Sequence, residues 1–533
     1  MGCTVFCGAR FYTMDASNPV VSALGVRDGK IVAAGSVEAV KRAVGRGCQE
    51  IEVPGPAAIP GLTDCHVHFG DFALRFLRLN LEGLNFRQIL EKVAGEARQT
   101  KGRWIVGSGW DGNGWGRDER PTKEALDVVA QGHPVALLSK DEHTLWVNSA
   151  ALREVGIDES TEDPPGGRIC RDEATGEITG LLRENAVAMI WSSIPDPEPH
   201  EVLRAFRRAQ KLANSLGLTG VHVPEGARTL QAFQELRSSG ELSLRVYMMI
   251  PGKRLDDLIR LGIRTGLGDE MIRLGHLKLF ADGSLGSQTA LLLEPYEGEQ
   301  SVGIEVLSKS EMVSLFKRAS SKGIAVAIHA IGDAANRNAL DAFESVKELS
   351  SAAGLRHRIE HAQLLHPGDI PRFARLGITA SMQPVHATSD RYIAERHWGS
   401  RSANAYCFRS LLQSGAKLCF GSDGPVETID PLKGVYAAAV RKRETEPESE
   451  PWYPAERISV YDAVYAYTAG AAHASGEENC RGMLKPGFLA DFVVLSRDIF
   501  KEDPEEIKRT RVTMTVLGGN IVWDDLNQSE GES

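Results

Sequence analysis

The middle of the chain alternates short apolar runs with longer amphipathic stretches. The runs are rich in β-branched residues, and the stretches between them place apolar residues at helical spacing. This alternation is typical of parallel βα units. The first run ends at His66 and His68, and seven more lie near residues 218–224, 244–250, 276–281, 324–329, 357–361, 378–383 and 417–423. Eight runs separated by helices predict an α/β fold built on a (β/α)8 TIM barrel.

Both ends of the chain have a different pattern of apolar residues from the middle. Short strand-like runs separated by turn signals fill residues 3–53, and similar runs recur in 490–523. If the two ends pair, they build one composite β-sandwich from distant segments. The predicted domains are the first part of the sandwich at 1–58, the barrel at 59–475, the second part of the sandwich at 476–526 and a tail at 527–533.

The segment from about 70 to 200 is too long for a single crossover between two barrel strands. It contains strand-like pieces of its own, such as 134–139, and a loop rich in glycine and tryptophan. These features predict a large insertion after strand 1, on the face where barrel loops usually shape the active site. Trp110, Asp111 and Trp115 are therefore candidates for a lid that contacts substrate. For the two tryptophans, packing within the insertion is the alternative interpretation.

Composition narrows the classes of partner. The chain has 533 residues with a formal net charge of -10, and it lacks a dense Lys/Arg block that could follow a phosphate backbone, which argues against nucleic acid. We find no run of about 18 apolar residues that would span a membrane and no secretory signal in the first residues. The eight cysteines are scattered without C-x-x-C pairs or the spacing of a disulfide scaffold, so a cytoplasmic location is expected.

Six side chains near the ends of the predicted strands suggest a metal site. The candidates are His66, His68, Lys278, His329, His361 and Asp423. His66 and His68 are one residue apart, and alternate residues of a strand point the same way, so both imidazoles can reach one ion. Each residue alone is equally well explained as a hydrogen-bonded core residue. Together they predict a metal site, because the carboxyl ends of barrel strands share one mouth.

Imidazole and carboxylate ligands favour Zn²⁺, or another divalent first-row ion, over Ca²⁺ and Mg²⁺. Lys278 differs from the other candidates because a protonated amine has no lone pair for a metal. Burial lowers the pKa of a lysine, and a neutral amine can add CO₂ to become a carbamate whose two oxygens bridge two ions. The alternative is a buried lysine paired with Asp282 or Asp423. The sequence therefore leaves open whether one or two ions are bound.

Several motifs extend this picture to nearly the whole chain. They lie at residues 60–68, 141–149, 278–287, 329–333, 360–361, 381–384, 421–423 and 482–491. On these motifs the chain resembles the amidohydrolase superfamily, in the branch that includes the N-substituted formamide deformylases and many metal-dependent amidohydrolases. The motifs are specific for fold and metal binding and are poor guides to substrate.

The resemblance implies a mechanism and a role for each ligand. A metal-bound hydroxide would be the nucleophile, with His66, His68 and Asp423 on one ion, His329 and His361 on the other, and N6-carboxylated Lys278 as the bridge. Asp423 would be the catalytic residue that takes a proton from the attacking water and passes it to the leaving amine. Such proteins often self-associate, so the resemblance also implies a homo-oligomer as an expectation.

Further candidates for substrate binding are less strongly indicated. His143 lies in the insertion motif, and Gln383 ends strand 7 facing the mouth. Asp282 follows Lys278 after strand 4, and its alternative role is to orient the loop there. His222 stands where the resembled proteins more often carry Thr or an apolar residue. It either marks a substrate preference or is a hydrogen-bonded core histidine, and we favour the core histidine.

The sequence as a whole predicts a hydrolase acting on a carbon-nitrogen bond other than a peptide bond. Its expected substrate is a small molecule with a linear amide, either an N-formyl or an N-acyl amine. An ester, lactone or cyclic amide hydrolase is the alternative, because the same nucleophile serves any polarised carbonyl. A barrel that binds a ligand without turnover is a third hypothesis. A phosphate-binding loop and a Gly-x-Ser-x-Gly elbow are both lacking, which argues against nucleotide and serine-based chemistry.

Overall fold

The computed structural model describes residues 2–99, 103–112, 115–116, 119–140 and 144–526. The chain divides into two compact units, one formed by Met1–Gly70 with Gln210–Ser533 and the other by Asp71–Ala209. The domain bounds expected from the sequence stay predictions. His143 and the predicted tail lie outside the described residues.

The strands and helices of the described residues are numbered along the chain. The strands are β1 (Cys3–Tyr12), β2 (Val20–Arg27), β3 (Lys30–Gly35), β4 (Gln49–Glu52), β5 (Ala57–Pro60), β6 (Leu62–Asp64), β7 (Leu79–Asn80), β8 (Ile105–Trp110), β9 (Val135–Ser139), β10 (Thr144–Val147), β11 (Gly167–Arg171), β12 (Ile178–Glu184), β13 (Leu218–Val223), β14 (Arg245–Pro251), β15 (Ile272–Phe280), β16 (Val326–Ala330), β17 (Arg358–His361), β18 (Thr379–Met382), β19 (Lys417–Phe420), β20 (Phe492–Leu495), β21 (Val512–Leu517) and β22 (Asn520–Asp524). The helices are α1 (Val37–Val44), α2 (Phe69–Leu74), α3 (Phe86–Gln99), α4 (Lys123–Val129), α5 (Ser149–Val155), α6 (Val187–Trp191), α7 (Pro199–Ser215), α8 (Ala227–Ser238), α9 (Leu255–Leu261), α10 (Lys309–Ser320), α11 (Asp333–Glu344), α12 (Lys347–Ala352), α13 (Ile370–Leu376), α14 (Pro384–Ser389), α15 (Arg391–Trp398), α16 (Phe408–Gln413), α17 (Pro431–Val440), α18 (Val460–Tyr467) and α19 (Ala469–Ser475).

Eight parallel strands form the barrel, in the order β6, β13, β14, β15, β16, β17, β18 and β19. Backbone hydrogen bonds join the first strand region to the last. The amide of Cys65 donates to Phe420 O at 3.0 Å, and the amide of His68 donates to Gly424 O at 2.8 Å. Most of these strands are short and fully buried because parallel barrel strands are covered on both faces. The predicted (β/α)8 barrel is confirmed.

The helices cover the barrel with one apolar face each, as α10 illustrates. Ser308 caps the helix, and its side chain and that of Glu311 form a reciprocal capping box that satisfies backbone donors of the first turn. Met312, Phe316 and Ala319 follow at helical spacing and are buried. The ring of Phe316 packs on that of Phe343 from α11, with centroids 4.4 Å apart. Capping thus begins the helix, and side-chain packing holds it in place.

A second sheet of unit 1 is built from both ends of the chain. Its strand order is β22, β21, β20, β5, β1, β2 and β3, with β4 also paired to β1. The N-terminal and C-terminal parts meet where β20 runs antiparallel to β5. At the β3 edge of the sheet, the amide of Ile31 donates to Phe488 O at 2.8 Å, so this edge contacts the segment before β20. Phe6, Phe11 and Phe492 lie in its core. The predicted pairing of the two chain ends is therefore confirmed, and the described strands form one sheet.

A buried ion pair connects this sheet to the barrel. Arg245 at the start of β14 donates two hydrogen bonds, of 2.6 and 2.8 Å, to the carboxylate of Asp491. Burial by itself raises the pKa of Asp491, but the adjacent guanidinium holds that pKa below its usual value. Because each charge compensates the other, this pair fixes the sheet at the amino-terminal end of the barrel strands.

The second unit has a six-stranded sheet of its own, in the order β11, β12, β10, β9, β8 and β7. Its core contains the side chains of Phe86, Trp110, Trp115 and Trp146. Trp110 is 6% exposed, and its indole N–H donates to Leu137 O at 2.7 Å. These contacts match the interpretation of the two loop tryptophans as packing residues of the insertion, and the lid role stays a prediction.

One cysteine pair was not foreseen. Cys3 and Cys48 form a disulfide that joins β1 to the segment after α1. The two cysteines are 45 residues apart and belong to no recognisable spacing, so the sequence offered no signal for the bridge. The cytoplasmic location inferred from cysteine usage stays a prediction. In the described part of the chain, every helix is too short or too polar to cross a bilayer.

Candidate metal centre

The six predicted ligands all lie near the carboxyl ends of barrel strands. His66 and His68 follow β6, and Asp423 follows β19. The other three are within strands, Lys278 on β15, His329 on β16 and His361 on β17. Parallel strands of a barrel end at the same rim, so these distant segments deliver their side chains to one place.

The first group of ligand atoms contains His66, His68 and Asp423. Asp423 Oδ1 lies 3.5 Å from His66 Nε2 and 3.4 Å from His68 Nε2. Ligands placed about 2.1 Å from a tetrahedral ion are separated by roughly 3.4 Å, so the spacing suits one divalent ion. All three ligand atoms lie within 4.8 Å of one another. The structure therefore brings together the three residues predicted for the first ion.

A buried carboxylate orients His66. Glu360 Oε2 lies 2.5 Å from His66 Nδ1, and Arg358 binds the same carboxylate through two nitrogens. The carboxylate makes Nδ1 the protonated nitrogen, which leaves the lone pair of Nε2 directed toward Asp423. Burial by itself would raise the pKa of Glu360, but Arg358 and His66 hold that pKa well below its usual value.

The orienting role of Arg358 and Glu360 was not predicted. A signal was present, because Arg358 and Glu360 are charged residues at alternate positions of a strand that should be buried. Alternate positions point to the same side, and buried charges are almost always paired.

Asp423 is held in an uncommon backbone conformation. Its φ is +58°, in the left-handed region, and its amide donates to His66 O at 2.7 Å. The neighbouring Ser422 donates from its amide and its hydroxyl to the buried carboxylate of Asp64, at 2.9 and 2.5 Å. A non-glycine residue costs about 1 kcal/mol or more in this region, and such strain is found mainly at functional sites. The turn aims the Asp423 carboxylate at the two histidines.

The second group of ligand atoms is formed by His361, His386 and Asp423, again within 4.8 Å of one another. Gln383 Oε1 lies 2.9 Å from His361 Nδ1, so Nδ1 is the protonated nitrogen and Nε2 keeps its lone pair. Gln383 therefore orients His361, and its predicted contact with substrate stays a prediction. His386 was not predicted, because the motif recognised in the sequence stops two residues before it.

His329 is close to this group. The centroids of the His329 and His361 rings are 4.5 Å apart. His329 Nε2 lies 2.9 Å from Gly283 O, an arrangement that makes Nε2 the donor and Nδ1 the nitrogen with a lone pair. The structure thus places His329 beside His361, as expected for two ligands of one ion.

Lys278 is a buried amine whose Nζ has no hydrogen-bond partner in the described residues. Pairing with Asp282 or Asp423, the alternative left open by the sequence, is therefore not observed there. Burial lowers the pKa of Lys278 to about 8, although Glu360 and Asp423 oppose the shift. An amine with this pKa is partly neutral near physiological pH, which is the form that reacts with CO₂.

Two other predicted site residues make contacts with the barrel itself. Asp282 accepts hydrogen bonds from the amides of Leu291, Ile331 and Gly332, at 2.8 to 3.0 Å, and so joins the loops after β15 and β16. Burial raises the pKa of Asp282 to about 7. These contacts match its alternative role of orienting a loop.

The side chain of His222 is buried in the barrel interior. Its Nδ1 lies 2.9 Å from Arg358 Nη1, and its ring centroid is 4.9 Å from that of Tyr247. Burial and the Arg358 charge lower the pKa of His222 well below its usual value. A neutral histidine in these contacts matches the core interpretation favoured from the sequence.

The insertion has a cavity of about 520 Å³. Trp110, Asp111 and Trp115 line it together with Glu119, Lys140 and Arg183. The cavity brings together three of the residues predicted to contact substrate. Their predicted role stays a prediction.

Comparison with known proteins shows which family and which sequences this chain is similar to. A model described as the amidohydrolase family matches residues 49–523. The chain is 36% identical over 529 residues to Protein LONG AFTER FAR-RED 3 of Arabidopsis thaliana, covering 96% of this chain and 90% of that protein. It is 28% identical over 535 residues to the N-substituted formamide deformylase of Arthrobacter pascens, covering 97% of both.

A solved structure shares the fold across most of the chain. It is an uncharacterised metal-dependent hydrolase from Pyrococcus furiosus, with a TM-score of 0.78 and 31% sequence identity. The match covers 94% of this chain and 100% of that one.

Proposed function

The chain belongs to the amidohydrolase family, and we propose that it hydrolyses the carbon-nitrogen bond of a linear amide, either an N-formyl or an N-acyl amine. The family consists of metal-dependent hydrolases that act on small molecules. The observation that carries the proposal is the convergence of His66, His68 and His361 on the Asp423 carboxylate at the barrel rim. The similarity to a formamide deformylase, at 28% identity, supports the choice of an amide.

The residues present fit a divalent first-row ion, and Zn²⁺ is our choice. Neutral imidazoles and an ionised carboxylate are usual ligands of Zn²⁺. The buried Nζ of Lys278 has no hydrogen-bond partner among the described residues, so a bound group would supply the partner that it lacks. His66, His68 and Asp423 would hold one ion, with His329 and His361 on a second and Lys278 between them. When bound, such an ion lowers the pKa of a water molecule to about 7 and polarises the substrate carbonyl.

Asp423 is placed to move the proton. Burial by itself raises the pKa of this carboxyl, but His68 and His66 hold that pKa far below the usual range, so the carboxylate is ionised and carries no proton of its own. Asp423 would take the proton from water and deliver it to the leaving amine nitrogen. The constrained turn at Ser422 and Asp423 keeps the carboxylate in position for both transfers.

We further propose that Lys278 is carboxylated. The neutral Nζ attacks the carbon of CO₂, an N–C bond forms, and the nitrogen releases a proton to give the carbamate anion. Because only the neutral amine reacts, carboxylation of the metal-free protein should rise with pH through about 8. Incubation with ¹³C-bicarbonate should produce one carbamate signal in the ¹³C spectrum. The signal should disappear in Lys278→Ala and persist in Lys253→Ala, which removes an exposed lysine. A signal that survives in Lys278→Ala would reject the assignment.

A substrate screen tests the proposed function. Purified protein loaded with Zn²⁺ would be offered matched N-formyl amines, N-acetyl amines, cyclic amides, esters and lactones, with amine or acid release as the readout. We expect turnover of linear amides that stops with a chelator and returns when Zn²⁺ is added back. Faster turnover of esters, lactones or cyclic amides would replace the proposal with the alternative chemistry. Amide turnover that resists complete metal removal would refute it.

A further inference from the structure

We infer that His386 is a metal ligand and that it completes, with His361 and Asp423, the site of the second ion. The inference rests on the proposed metal-dependent function and adds a residue that the pattern of strand ends did not indicate. His386 does not belong to a barrel strand. It lies in the first turn of α14, the short helix that follows β18.

The first line of evidence is an unpartnered nitrogen. His386 is 9% exposed, and its Nε2 is buried without a hydrogen-bond partner among the described residues. Burying an imidazole nitrogen without a partner costs free energy, so such an atom calls for a missing ligand or ion. The ligand atoms of His361 and Asp423 lie within 4.8 Å of that of His386 and of each other. This is the neighbourhood in which an ion would supply the missing partner.

The second line of evidence is the way one segment prepares both histidines. Gln383 directly precedes α14 and fixes the protonated nitrogen of His361, as described above. Pro384 begins the helix, and His386 follows two residues later. The rings of His386 and His361 are nearly parallel, at 13°, with centroids 6.4 Å apart, so they do not touch. The segment orients one imidazole and positions the other near it with space between them.

Asp423 belongs to both groups of ligand atoms. Its Oδ1 lies at 3.4 to 3.5 Å from the Nε2 atoms of His66 and His68, and its carboxylate also belongs to the group of His361 and His386. A carboxylate has two oxygens and can therefore bind one ion through each. Asp423 would in this way link two adjacent ions, whether or not Lys278 is carboxylated.

The test measures metal binding directly. Metal-free wild type, His386→Ala, His386→Cys and the control His397→Ala would be titrated with Zn²⁺ against a chelating dye, with stoichiometry from elemental analysis. His397 lies on α15, outside both ligand groups. We expect His386→Ala to lose one ion per chain or to bind the weaker ion at least tenfold less tightly. His386→Cys should restore binding because a thiolate is also a zinc ligand.

The Co²⁺-loaded proteins supply a second readout, since the absorption spectrum of Co²⁺ responds to its ligands. We expect the spectrum of His386→Ala to differ from wild type and that of His397→Ala to match it. Unchanged affinity and spectrum in His386→Ala would overturn the inference, even if turnover falls, and would leave the proposed function standing. A wild type that binds no ion would overturn both. If His386→Ala does not fold, His386→Asn and His386→Cys are compared instead. Zn²⁺ binding by His386→Asn as tight as that of wild type would count against a ligand role for His386.

Discussion

Replacing Asp423 by asparagine is expected to lower kcat/KM at least about 1000-fold, because the change removes both the proton acceptor and a charged metal ligand. The amide of asparagine keeps the shape of the side chain but cannot accept and return the proton as a carboxylate does. The structure supports a specific role because Asp423 lies between His66 and His68, in a strained turn held by hydrogen bonds to Asp64 and His66.

Steady-state kinetics on protein of measured metal content would check this expectation. The matched control is Asp430→Asn, since Asp430 caps α17 by accepting the amide of Leu432 and lies outside the ligand groups. Asparagine is an equally good cap, so activity and stability should be retained there. Full activity in metal-loaded Asp423→Asn would rule out the proton-transfer role.

Replacing Glu360 by glutamine should weaken metal binding by about 10- to 100-fold, because the carboxylate no longer orients His66. It should also lower the free energy of unfolding by about 3 to 5 kcal/mol, because Arg358 keeps a charge that is fully buried and no longer balanced. The two effects have one cause, namely a carboxylate shared between a guanidinium and a ligating imidazole.

Chelator competition and urea unfolding of the metal-free protein would separate the two effects. Unfolding of the metal-free form reports the loss of the buried ion pair, and competition reports the orientation of His66. Glu506→Gln is a suitable control because Glu506 pairs with Arg509 at the surface, where such pairs contribute less than about 1 kcal/mol. A Glu360→Gln protein with the metal affinity of wild type would show that metal binding by His66 does not depend on a charged partner at Nδ1.

Much of the fold could be read from the sequence because its causes are local. A parallel barrel strand is buried on both faces, so several of the strands appear as short apolar runs, and helices between them, such as α10, keep a periodic apolar face. The sheet built from both chain ends was predicted for the same reason, since strand-like runs at both ends of the chain indicate strands that need partners. The disulfide between Cys3 and Cys48 escaped prediction because a pair of cysteines carries no periodicity.

The candidate site was predictable in part. His66, His68 and Asp423 were found because strand ends and alternation are visible in sequence, and the structure brings their ligand atoms together. His386 was missed because its position depends on the direction of a short helix after β18. Glu360 entered the prediction only as part of the motif at 360–361, although a buried charge on a strand already required a partner.

The spacing of residues along the chain indicates which segments become barrel strands, and therefore which side chains reach one rim. Which ring nitrogen of each histidine is left for an ion depends instead on contacts between distant segments. Glu360 and His66 are 294 positions apart, and their contact depends on closure of the ring of strands. A hydrogen bond across such a distance leaves no local pattern, since it arises from the packing of whole elements.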